Sequence, residues 1–179
     1  MIYPFTENDS ADAYNEWGAN CGPNALAFAL QIPIASVRGM IPGFEEKRYT
    51  SPTMMKAALS NLKKKFDDID APDDLCMFCQ NVALVRIQWC GPWTAEGANP
   101  KWAYRQTHWI VCWSVASTTG IGSVLGSRIT QTVDRMVFDC NGGIRTFESW
   151  QKEIIPALTS GIKRADGQWY PTHVWRIER

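Results

Sequence analysis

Asn20-Cys21-Gly22-Pro23-Asn24-Ala25-Leu26-Ala27-Phe28-Ala29-Leu30 is the stretch on which the reading of this chain turns. It opens on a residue suited to cap a helix and places Pro23 near the first helical position, where a missing N–H is harmless. It then continues as an almost unbroken apolar run. The pattern predicts a short buried helix with Cys21 at its N-terminus. Such a terminus carries partial positive charge and unpaired N–H groups, both of which favour a thiolate over a thiol. Gly22 would let a substrate carbonyl approach the backbone, and the N–H of Cys21 could donate to an oxyanion.

Outward from this helix, Ser51 caps and Pro52 opens a second one through Leu62, with Met55, Leu59 and Leu62 at helical spacing. Beyond an acidic loop from Asp67 to Asp74 the pattern changes to strands. Val82 to Trp89, Thr107 to Trp113 and Arg135 to Asp139 predict neighbouring antiparallel strands, and Thr172 to Ile177 a closing one. Gly142-Gly143 reads as a turn, and Phe147 to Leu158 as a helix bent by Pro156. Ser117 to Thr132, rich in Ser, Thr and Gly, suits either a long hairpin excursion or a flap beside the site. The expectation is an α+β fold in a single domain over residues 1–179, helical to about residue 75 and strand-rich from about 76, with the helices packed on the sheet.

The chain has 179 residues, a length suited to one core, and 45% of them are hydrophobic. Lys plus Arg and Asp plus Glu both count 18, so no overall field draws in nucleic acid or an anionic membrane. No stretch has the length of a membrane span, and the first residues lack the pattern of a signal peptide, so the expected location is the cytoplasm. Six cysteines in that setting read as free thiols or ligands rather than disulfides. Cys76-Met77-Phe78-Cys79 has the spacing of a zinc knuckle, but no second pair accompanies it, and no Gly-rich loop is present to cradle a phosphate. No cofactor is implied. Trp17, Trp89, Trp93, Trp102, Trp109 and Trp113 lie close in sequence to the candidate residues, where they could wall a cleft.

A cysteine nucleophile needs a histidine to take its proton and later return it to a leaving group. Of the two histidines, His108 opens an apolar strand, whereas His173 begins the last strand with no acidic or amide residue obviously placed to orient it. A third group must accept from the other imidazole nitrogen, and Asp139, ending the next apolar strand, would lie beside His108 if those strands pair. Asn141 remains an alternative for that role.

The order Cys21, His108, Asp139, with the cysteine at a helix start and its partners on successive strands, resembles the papain-like cysteine peptidases. It looks closest to the branch that processes bacteriocins by cleaving after double-glycine leaders, whose nucleophile stretch has the same Cys-Gly followed by small and apolar residues. In that superfamily a glutamine ahead of the cysteine supplies the side-chain donor of the oxyanion hole, and its counterpart here is Asn15, one methylene shorter. The 31 residues from His108 to Asp139 exceed the usual connection, which makes Ser117 to Thr132 an insertion. Cys140-Asn141 stands where the branch commonly has proline. Over much of its length the chain is also similar to small proteins of phage and prophage origin, which supplies no function.

The resemblance implies a papain-like thiol hydrolase acting by acyl-enzyme formation on a peptide, protein or amide. Peptidase, amidase and acyltransferase chemistries all remain open. The rival readings are an idle papain-like fold serving as a protein- or ligand-binding module, and a zinc-stabilised interaction domain.

Overall fold

Asn20 caps the predicted nucleophile helix: its side-chain oxygen accepts from the Gly22 N–H at 3.3 Å, and its Nδ2 donates to the Arg48 carbonyl at 2.9 Å. The computed structural model describes residues 3–69, 82–91, 105–119, 130–160 and 166–178. In chain order these form α1 (Glu7–Trp17), α2 (Cys21–Leu30), a 3-10 turn (Ile34–Val37), α3 (Phe44–Lys47) and α4 (Pro52–Asn61). They continue as β1 (Phe66–Ile69), β2 (Val82–Cys90), β3 (Arg105–Thr119), β4 (Thr130–Asp139), β5 (Gly143–Thr146), α5 (Phe147–Thr159) and β6 (Tyr170–Ile177). The fold is mixed α+β, and its sheet has the order β1-β6-β2-β3-β4-β5 with every neighbouring pair antiparallel.

Strand alternation divides the core into two faces. Leu84, Trp109, Val111, Phe138 and Trp175 pack with α2, where Leu26, Ala27 and Phe28 are fully buried. Phe28 stacks on Phe138 with ring centroids 4.0 Å apart, fixing α2 against β4. Val85, Ile87, Ile110, Cys112 and Val137 point the other way, onto Trp150 and Ile155 of α5. Burial on both faces explains why Val82-Ala83-Leu84-Val85 is continuously apolar rather than alternating.

Two sequence expectations need correction. The supposed acidic loop begins as strand β1, which pairs with β6 from Phe66↔Ile177 to Ile69↔Val174. Its aspartates hid the strand because both are exposed on a sheet edge, Asp67 against Arg176 and Asp68 against Lys56. Gly22, expected to admit substrate, instead admits Thr50: a Cβ at position 22 would lie 2.1 Å from Thr50 Oγ1 and 2.6 Å from its Cβ. Of the two readings of Ser117 to Thr132, the hairpin holds at its base, where Ser117↔Thr132 and Thr119↔Thr130 pair in register. Cys76, Cys79, Trp93 and Trp102 lie outside the described residues. α1, a helix not expected from the residue pattern, starts in a capping box between Thr6 and Asp9. Among the described residues no helix is long and apolar enough to cross a membrane.

The contact of Gly22 with Thr50 has a measurable consequence. Gly22→Ala forces backbone or Thr50 displacement in a packed turn and is expected to destabilise the protein by about 1–3 kcal/mol, read as a lower urea midpoint at unchanged slope. Stability equal to wild type would show that Thr50 moves aside freely.

Candidate active site

Sheet register brings two of the candidate side chains together. β3 and β4 pair from Val111↔Phe138, so one further step sets Asp139 across from Ile110. His108 lies two residues beyond Ile110 on the same face, which makes it a diagonal neighbour within reach of a long side chain. His108 Nε2 stands 2.8 Å from Asp139 Oδ1, with the residues 5% and 0% exposed. Asp139 Oδ1 also accepts the Asn141 backbone N–H at 2.8 Å, and Oδ2 accepts the indole N–H of Trp150 at 2.8 Å. Burial alone would raise the Asp139 carboxyl, but the hydrogen bond and charge of His108, with the Trp150 and Asn141 donors, hold it below the ordinary carboxylate value.

With Nε2 committed to Asp139, Nδ1 is left to face the Cys21 thiol, which is close enough to feel both the imidazole of His108 and the backbone N–H of Trp109. Burial pushes the thiol up. The hydrogen bond and positive charge of His108, aided by the Trp109 N–H, outweigh it and bring the thiol below its usual range. Burial likewise opposes the charged imidazole, yet the bonds to Asp139 and Cys21 push it up to about 10. Both shifts favour thiolate and imidazolium, an ion pair held inside the protein.

The first turn of α2 has one N–H to spare. The Gly22 N–H goes to the Asn20 side chain, Pro23 has none, and the Asn24 N–H returns to the Asn20 carbonyl at 3.1 Å. The N–H of Cys21, first residue of the helix, is left without an intrahelical partner. Cys21 and His108 border an open cleft of about 470 Å³, whose opposite wall is α1. Asn24, 2% exposed, ties that wall to α2, accepting from Ser10 Oγ at 2.7 Å and donating to the Asn20 carbonyl at 2.9 Å.

Cys21, His108 and Asp139 therefore come together. Asn15 sits on the exposed side of α1 and borders the same cleft. Asn141 meets Asp139 through its backbone and leaves the His108 position to the aspartate. His173 lies elsewhere, on β6, with Nδ1 3.3 Å from Thr172 Oγ1.

Among the described residues, one group of donor atoms converges enough to hold a metal ion: His108, Asp139 and Cys140, within 4.8 Å of one another. Its chemistry argues against that use. The imidazole Nε2 and the carboxylate point at each other, and Trp150 occupies the second carboxylate oxygen, so two of the three groups are already spent on protein partners.

Sequence reasoning missed Trp150 and the Trp109 backbone donor. A buried tryptophan usually finds a partner for its N–H, which gave Trp150 a weak signal, since the indoles of Trp89, Trp113 and Trp175 are buried without one among the described residues. Comparison with protein-family models, curated proteins and solved structures gave no match.

Trp150→Phe tests the support of the carboxylate. It leaves Asp139 Oδ2 buried without its donor and is expected to cost about 1–3 kcal/mol near neutral pH. Asp139 titrates below its unfolded value, so the stability it contributes is present above that value and lost as pH falls through the folded one. The difference between variant and wild type should accordingly shrink below about pH 4, the ordinary aspartate range, in urea titrations across pH. A difference independent of pH would mean that Trp150 acts by packing alone.

Proposed function

We propose that the protein is a cysteine-nucleophile hydrolase that cleaves an amide, peptide or related acyl bond through an acyl-enzyme, on a papain-like arrangement of helix and sheet. The observation that carries this reading is the relay itself: one buried imidazole bonded at 2.8 Å to a fully buried carboxylate, with a helix-terminal thiol within its influence on the cleft they share. The resemblance drawn from the order of Cys21, His108 and Asp139 points the same way.

The Cys21 thiolate attacks the carbonyl carbon, and the developing oxyanion is met by the unclaimed N–H of Cys21 and by the amide of Asn15. His108 gives its Nδ1 proton to the departing amine as the tetrahedral species collapses to a thioester. It then takes a proton from water, which attacks the thioester and regenerates the thiolate. Asp139 stays ionised throughout, holding the ring by Nε2 so that Nδ1 faces the sulfur. Cytoplasmic location and a peptide as the preferred acyl compound belong to the same proposal.

Acetyl transfer from p-nitrophenyl acetate tests the reading without knowledge of the natural substrate. The expected result is a burst of one p-nitrophenolate per chain with acetylation at Cys21 by mass spectrometry, absent in Cys21→Ala; a burst surviving that change would refute it. Turnover should fall on the acid side as the thiolate takes up its proton, and on the alkaline side as His108, lifted to about 10, loses its own. Asn15→Ala is expected to slow turnover by about 100- to 1000-fold while leaving iodoacetamide alkylation of Cys21 unchanged. Wild-type turnover in that variant would assign the second donor to another group at the cleft, such as Asn20, whose Nδ2 uses one of its two N–H groups on the Arg48 carbonyl.

A further inference from the structure

Arg86 is the charged group that the relay leaves unexplained. Val82 and Leu84 of β2 pack on the α2 side of the sheet, so alternation puts Arg86 on that side too. Its partner across β3 is Trp109, the residue whose backbone N–H reaches the Cys21 sulfur. Arg86 is partly buried, yet no ion pair among the described residues includes it. Nη1 donates to Thr172 Oγ1 at 3.1 Å, and Nε is buried with no partner. Burial lowers the guanidinium and the charge of Cys21 raises it.

A cation withdrawn from water with neither counter-ion nor full hydrogen bonding is destabilising, and its retention calls for a use. A second orphan lies nearby. Thr50, 6% exposed, has a buried hydroxyl without a partner; it packs on Gly22 at the start of α2, and its carbonyl accepts from the Trp109 indole at 2.9 Å. A guanidinium with a partnerless Nε–H, an unpaired hydroxyl and a helix N-terminus thus lie around Trp109 beside Cys21. Each of them favours a negative charge.

We infer that Arg86 is a specificity-determining residue that reads an anion on the substrate, so that the site takes acyl compounds with a carboxylate close to the scissile carbonyl, such as a peptide with an acidic residue beside the cleaved bond. The inference rests on the hydrolase reading above. The bond to Thr172 fixes the guanidinium plane and leaves the Nε–Nη2 edge, the fork that matches two carboxylate oxygens. Pairing there would satisfy the Nε–H that the free protein leaves orphaned. Lysine keeps the charge but not the fork.

Iodoacetate and iodoacetamide are near-isosteric alkylating agents, one anionic and one neutral, and their second-order rates at Cys21 of the intact chain test this directly. Arg86→Gln is expected to lower the iodoacetate-to-iodoacetamide rate ratio by about tenfold, the scale of one charge-assisted hydrogen bond, with Arg86→Lys in between. In the unaltered protein, excess acetate should slow alkylation by iodoacetate while acetamide does not, a comparison that needs no variant to fold. An unchanged ratio in folded Arg86→Gln, equal slowing of both reagents, or indifference to acetate would each overturn the assignment. If Cys21 fails to react selectively with the neutral reagent in wild type, the hydrolase reading itself falls, and this inference with it.

Discussion

The contact between His108 and Asp139 is the constraint around which the site is organised. A carboxylate with no exposed surface is tolerable only if its charge is answered, and Asp139 is answered by an imidazole, an indole and a backbone amide. Those three donors come from β3, α5 and the turn after β4. Satisfying one buried charge therefore fixes the relative placement of the central sheet and the helix on its far face. The same contact commits Nε2 of His108 and leaves Nδ1 for the sulfur. Orientation of the base and stability of the fold are set by one group.

On the opposite face, α2 is held by equally specific means. Phe28 stacks on Phe138, one residue before Asp139, so the helix that carries Cys21 is indexed to the strand that carries Asp139. Asn20 grips the 48–50 segment through the Arg48 carbonyl, and Gly22 lets Thr50 approach. The Trp109 indole binds the carbonyl of that same Thr50. Cys21 is thereby placed between two anchors, which is how a site gains precision from rigid elements rather than from a loop.

Much of this was legible in the chain, for reasons that differ by element. The capped apolar run from Asn20 to Leu30 could scarcely be anything but a buried helix, and the strands after residue 82 announced themselves by β-branched and aromatic content. Asp139 was legible as the partner of His108 because it closed an apolar strand, and a charge there must be paired if the strand is buried. What escaped depended on distant residues. Gly22 gave no hint that its missing side chain is filled by Thr50, and the aspartates of β1 masked a strand whose partner, β6, ends the chain. Arg86 sat in a strand otherwise buried on both faces, but that its buried Nε–H lacks a partner among the described residues is visible only in three dimensions.

The charge state of one ring decides whether Cys21 rests as a thiolate. Nitrogen-15 NMR of the His108 imidazole at pH 7, in wild type and in Cys21→Ala, measures it directly. Both ring nitrogens are predicted to be protonated in the wild type, because a buried thiolate and a buried carboxylate flank the ring; in Cys21→Ala, with one of those charges gone, the proton should be lost at lower pH. A neutral ring at pH 7 in the wild type would mean that Cys21 rests as a thiol, and would contradict the claim that the fold stores an activated nucleophile.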